Sequence, residues 1–139
     1  MPARLDPGTE VALAFVDDAA MRDLNARHRG KERVTDVLSF GIVLPPGTRG
    51  AATREFLERA PDGTLELGDI VIAPEQARRQ ARRRGWTLAS EIAFLAAHGA
   101  LHLVGYEDDT QAGYREMRRL GEEAVARSHV ILRRRRTQN

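Results

Sequence analysis

The feature that most constrains this chain is the apolar run from Thr87 to Val104, which carries His98 and His102 and ends at Gly105. Read as a helix, it is apolar nearly all round, so the rest of the chain must bury it. Its most apolar part, Ile92 to Val104, is too short to span a bilayer and holds both histidines. The four-residue spacing puts the two imidazoles on one helix face, where they can converge on one ion. One histidine on an apolar helix is usually a satisfied core residue. Two at this spacing, followed by a turn glycine and a cluster of acids, point to a metal site.

Gly105 ends the helix in the usual C-terminal way and lets the chain double back. Asp108, six residues after His102 and flanked by Glu107 and Asp109, is where the turn can deliver a third ligand. Asp108 also suits the N-cap of the next helix, with Gln111 completing a capping box, although Asp109 can take that place. A His-His-Asp set is acceptable for zinc and leaves a fourth position for water or a phosphate oxygen. The spacing H-x3-H-x2-G-x2-D also invites comparison with metzincin peptidases. Those need a glutamate after the first histidine; here that residue is Gly99. A metallopeptidase is therefore the weakest reading of the motif.

Composition narrows the chemistry further. The chain has no cysteine, so disulfides and thiolate metal sites are excluded and any ligand must be His, Asp or Glu. Its 139 residues are 42% hydrophobic, enough for one core, and a single domain over 1–139 is expected. A net charge of +2 does not by itself announce nucleic acid. Lys31 is the only lysine among the basic residues, and arginine suits bidentate phosphate contacts better; codon bias would give the same excess. The start, Met-Pro-Ala-Arg-Leu-Asp, lacks the apolar core of a signal peptide, so a soluble, cytoplasmic protein without membrane contact is expected.

Along the chain, Val11–Val16 reads as a strand. A helix to about Arg27 follows, capped by Asp17 or Asp18, with Ala20, Met21 and Leu24 on its inner side. Val37–Val43 is a second strand. The stretch 45–64 reads as a loop with one helical turn near Arg54–Arg59. Leu65–Ala73 is a third strand, interrupted at Gly68, and Pro74 opens a helix to about Arg83. The last helix runs from about Thr110 to Arg127 with Tyr114, Met117, Leu120 and Ala124 facing in. Val130–Leu132 is left as a strand or a frayed end. Short strands interleaved with helices make the fold α/β or α+β, with one small sheet.

The segment His98-Gly-Ala-Leu-His102-Leu-Val-Gly105-Tyr-Glu-Asp108 resembles the signature H-G-x-L-H-L-x-G-Y-D-H of the YbeY family of bacterial endoribonucleases. Two further blocks match in family order: Leu24-Asn25 and Arg29 with Thr35-Asp36-Val37-Leu38-Ser39-Phe40, then Leu67-Gly68-Asp69-Ile70-Val71-Ile72. The resemblance implies a metal helix packed on a small mixed sheet and one zinc ion held by His98, His102 and Asp108. It implies a functional arginine at Arg29, lining a basic groove for single-stranded RNA. It further implies action on ribosomal RNA at the small ribosomal subunit, in maturation of the 16S 3′ end and in ribosome quality control, with no DNA partner. Two positions depart from the signature, Asp108 for histidine and Glu107 for aspartate. The first lowers the charge of the site by one, makes bound water less acidic and opens the site to another divalent metal.

A divalent cation can polarise a phosphate oxygen or activate a water, and an arginine can stabilise the charge that develops. No general base announces itself; Asp36 and Glu107 are the candidates. Arg78-Arg79-Gln-Ala-Arg82-Arg83-Arg84 and Arg133–Arg136 are either solvated faces or phosphate contacts. Aromatic residues are only 5% of the chain, so few bases can be stacked. A ribosome-associated RNA-binding assembly factor with a structural metal is the alternative from another class.

Overall fold

The computed structural model describes residues 8–29 and 35–138, with side chains described for 8–28 and 35–127. The order is β1 (Thr9–Phe15), α1 (Asp18–Arg29), β2 (Val37–Phe40), a 3-10 segment (Gly50–Phe56), β3 (Glu58–Arg59), β4 (Leu65–Ile72), α2 (Pro74–Arg84), α3 (Leu88–Leu103) and α4 (Gln111–Gln138). β4 is the central strand, paired in parallel with β1 on one side and antiparallel with β2 and β3 on the other. The small mixed sheet expected of an α/β chain is therefore present. The Leu65, Leu67, Ile70, Val71 and Ile72 side chains of β4 are buried, as a strand enclosed by its neighbours requires.

Local chemistry sets the helix starts. Asp17 Oδ1 accepts from Ala20 N at 2.8 Å and caps α1. Pro74 occupies the first turn of α2, where its missing N–H costs nothing, and Gly85 closes that helix in the left-handed conformation with φ 70°. Thr87 Oγ1 accepts from Ser90 N at 3.1 Å and caps α3.

Helix α3 packs against β2, β4, α2 and α4, whereas α1 packs through Met21 against Leu38 and Val71 in a second, smaller core. Phe94, Leu95, Leu101 and Leu103 join Leu67, Ile70 and Ile72 of the sheet and Met117, Leu120 and Val125 of α4 in the main core. Gly99 makes the close approach possible. A Cβ there would lie 2.9 Å from Ile70 Cγ2 and 3.0 Å from Ser39 Oγ. Ser39 Oγ also donates to the Gly99 carbonyl at 3.0 Å, tying helix to sheet.

Several boundaries differ from the expected ones. β2 stops at Phe40 because its partner strand reaches Gly68, whose φ of 145° ends the ladder after the Phe40–Asp69 pair. Ile42 and Val43 are left exposed. Stretch 45–64 holds a 3-10 segment over Gly50–Phe56, earlier than the turn expected near Arg54, and then β3. Ala20 faces solvent, since the inner stripe of α1 runs through Met21 and Asn25. Val130–Leu132 forms no strand: 128–138 contains neither glycine nor proline, and α4 continues to Gln138. Tyr114 is exposed because the inner stripe of α4 starts one turn later, at Met117.

Gly99→Ala is expected to lower stability by about 1–3 kcal/mol through overpacking against Ile70 and Ser39. The urea midpoint should fall with an unchanged slope; an unaltered midpoint would show that the helix can move away from the sheet at little cost.

Candidate metal centre

The C-terminus of α3 builds the site. Val104 is the C-cap, and Gly105 follows with φ 93°. Tyr106 N donates to Leu101 O at 3.0 Å and Gly105 N to His102 O at 3.0 Å, the paired bonds of a Schellman motif. Leu101 and Tyr106, the two residues this motif brings into apolar contact, are both buried. The remaining Val104 carbonyl accepts from Gly50 N at 2.8 Å and Thr53 Oγ1 at 3.3 Å, so the 3-10 segment braces the turn from outside. A Cβ on Gly105 would lie 2.0 Å from the Thr48 carbonyl oxygen.

The reversal carries Asp108 back over the histidine face. His98 Nε2 and His102 Nε2 are 3.1 Å apart, and Asp108 Oδ2 is 3.3 Å from the first and 3.5 Å from the second. Ligand atoms about 2.0–2.1 Å from a tetrahedral zinc-sized ion stand about 3.3–3.4 Å from one another, so the triangle fits such a cation. His102 Nδ1 donates to the Tyr106 carbonyl at 3.1 Å, which leaves Nε2 with a bare lone pair aimed into the triangle. Burial holds the His98 pKa below the ordinary histidine value, helped by His102 and opposed by Asp108 and Asp36. The neutral form needed for coordination is thereby favoured.

The cap of α4 removes one of the two roles open to Asp108. Thr110 Oγ1 accepts from Gly113 N at 3.0 Å, so Thr110 is the cap and neither Asp108 nor Asp109 is needed for it. Among the described residues, His98, His102 and Asp108 form the group able to hold an ion. Glu107 and Asp109 turn away and line a separate groove with Arg49 and Arg119. Gly99, pressed on the sheet, leaves no room for the glutamate of a metzincin-type peptidase.

A cleft of about 340 Å³ opens on the triangle and is lined by His28, Asp36 and Ser39 together with the three ligands. His28, whose ring lies 4.4 Å from that of Phe40, escaped the sequence reading; its place two turns after Met21 on the inner face of α1 was the available signal. Arg29 ends α1 beside His28, but its side chain lies outside the described residues. The arginine run of α2 divides. Arg79 pairs with Asp18 at 2.7 Å, Arg78 lies 3.7 Å from Glu75, and Arg84 turns toward Glu91 of α3. The side chains of Arg133–Arg136 lie outside the described residues.

Fold and site together define an α/β protein with a half-open cluster of two histidines and one carboxylate that could hold a metal ion. The chain matches the family described as Endoribonuclease YbeY over residues 2–129 and belongs to that family. It is 46% identical over 108 residues to the endoribonuclease YbeY of Moorella thermoacetica, a match covering 78% of this chain and 65% of that protein. With the namesake of Desulforamulus reducens the identity is 43% over 121 residues, covering 87% and 73% of the two chains. The solution structure of TM1509 from Thermotoga maritima shares the fold, with a TM-score of 0.51 and 23% identity over 86% of this chain and 71% of that one. No helix among the described residues is long and apolar enough to cross a membrane.

The purified chain is expected to bind one zinc equivalent, and His98→Ala, His102→Ala and Asp108→Ala each to lose it in elemental analysis. Chelation should leave the far-ultraviolet circular dichroism unchanged, because the core residues of α3 and the sheet pack without the ion. A stoichiometric metal content in Asp108→Ala would remove Asp108 from the ligand set.

Proposed function

We propose that this chain, as one domain over 1–139, is a zinc-dependent, single-strand-specific endoribonuclease of the cytoplasm. Its substrate in this reading is ribosomal RNA at the small subunit, in maturation of the 16S 3′ end and in ribosome quality control. The observation that carries the reading is the His98–His102–Asp108 triangle at the floor of an open cleft in a chain of the YbeY family. When bound, the cation supplies positive charge against the scissile phosphate and lowers the pKa of a coordinated water.

The chain's own residues divide the remaining work. Asp108 supplies an anionic ligand, which offsets part of the ion's charge and admits divalent metals besides zinc. The Tyr106 carbonyl fixes the tautomer of His102. Asp36 lines the cleft with the ligands and is the best-placed proton acceptor for the attacking group, whereas Glu107 lines the separate groove. Arg29, at the end of α1 beside the cleft residue His28, is the candidate to hold the phosphate and stabilise its developing charge.

Zinc-loaded protein should cut single-stranded RNA and leave duplex RNA and DNA intact. His102→Ala should abolish cutting, and Asp36→Asn should lower kcat on the order of 10²-fold with little change in KM, the usual scale of a lost general base. Full activity in His102→Ala would overturn the metal-dependent mechanism. Salt-sensitive RNA binding without any cleavage would favour an assembly factor instead.

A further inference from the structure

A second pocket, of about 200 Å³, opens beside the ligand triangle; its wall includes Asp36, Arg84, Phe94, His98, Tyr114 and Arg118. One side of it is held by a costly arrangement. Glu91 of α3 is 0% exposed, and neither carboxylate oxygen accepts a hydrogen bond among the described residues. Burying a carboxylate is unfavourable unless a cation compensates it. The cation is Arg84, whose Nη1 lies 3.6 Å from Glu91 Oε2 while its side chain stays 41% exposed. The Arg84 guanidinium also sits 5.2 Å from the ring centroids of both Trp86 and Phe94. Arg84 is thus anchored from below by charge and by two aromatic faces, with its outer side left to the pocket. A merely solvated arginine gains little from such anchoring, whereas a ligand-holding one is preorganised by it.

The opposite wall comes from the first turns of α4. Tyr114 is 51% exposed and lines the pocket. Arg118 follows one turn later, in contact with Tyr114 and Glu122. Two guanidinium groups and an exposed aromatic ring, beside a cleft whose residues could hold a cation, are the elements with which proteins bind single-stranded nucleic acid. Asp36 and Asp108 on the same wall steer an anion away from the histidine end unless an ion is bound there. Glu91 precedes His98 by seven residues, roughly 10 Å along the helix axis, and Phe94 lies one turn from each. The anchor of Arg84 is therefore set back along the helix from the histidine pair.

We propose that this pocket is a nucleotide subsite flanking the cleavage position, in which Arg84 and Arg118 hold a backbone phosphate and Tyr114 stacks on a base. Glu91 is the positioning residue for Arg84. The inference rests on the endoribonuclease reading, whose centre it extends by one recognition site.

The test measures kcat and KM for zinc-loaded protein on single-stranded RNA across a salt series. Fluorescence anisotropy with a 2′-O-methyl RNA of the same sequence runs in parallel. Arg84→Gln and Arg118→Gln should each raise KM and Kd about tenfold, keep kcat within about twofold, and flatten the slope of log Kd against log salt by about 0.7. Tyr114→Ala should raise KM while Tyr114→Phe does not, Arg84→Lys should keep the salt slope, and Arg59→Gln on β3 should change nothing. Wild-type cleavage with Arg84→Gln and Arg118→Gln indistinguishable from Arg59→Gln would overturn the subsite and leave the endoribonuclease reading intact. RNA binding with an Arg84-dependent salt slope but no cleavage would keep the subsite and overturn that reading. If Arg84→Gln fails to fold because Glu91 loses its partner, Arg118→Gln and Tyr114→Ala carry the same comparison.

Discussion

The paired hydrogen bonds that close α3 at Gly105 govern the rest of the site. They turn the chain by a route that only a left-handed residue follows easily, in a space where a Cβ would strike the Thr48 carbonyl. Because the reversal takes three residues, it returns Asp108 to within 3.5 Å of both imidazoles. The same reversal presents the Tyr106 carbonyl to His102 and so decides which ring nitrogen is free. One backbone motif therefore delivers the Asp108 carboxylate, orients the His102 ring and sets the distance between them. The 3-10 segment that bonds the Val104 carbonyl exists, in this view, to hold the motif still.

Much of this was legible in the chain. His98, His102 and Gly105 carry their meaning in spacing alone, because a helix repeats faces every three to four residues and a glycine ends it. The order of strands and helices follows from short-range chemistry at Asp17, Pro74, Gly85 and Thr87. What spacing leaves undecided at Asp108 is a competition between cap and ligand. A hydroxyl at Thr110 takes the cap and leaves the Asp108 carboxylate beside the imidazoles. The end of β2 and the exposure of Tyr114 depend on partners distant in sequence, Gly68 and the start of the α4 stripe at Met117. No local pattern reports them. His28 and Asp36 become cleft residues only because tertiary packing brings the end of α1 and the start of β2 to the same opening as His98 and His102.

Charge is distributed with similar economy. The overall balance of the chain is nearly even, yet basic side chains on α2 are mostly committed to neighbours such as Asp18 and Glu75, while Arg84 is committed to a carboxylate with no exposure of its own. Burial pushes the Glu91 pKa up, with Arg84 opposing and Asp36 adding to the shift. A carboxylate placed so deep, two turns before the first ligand, costs stability that a leucine would not. Its place beside a half-open arginine marks a position where location counts for more than energy.

The contact at Gly99 has a consequence for how an ion is received. Helix α3 is seated on Ile70 and pinned by the Ser39 hydroxyl one residue after the first histidine. Neither imidazole can therefore shift its backbone to suit a guest. An ion held there would freeze few degrees of freedom that were not already frozen, which keeps the entropy cost of binding small. The same stiffness would work against ions of other sizes. An ion that needs oxygen partners at about 2.3–2.6 Å, as calcium does, would have to spread the triangle and lift the helix from its strand.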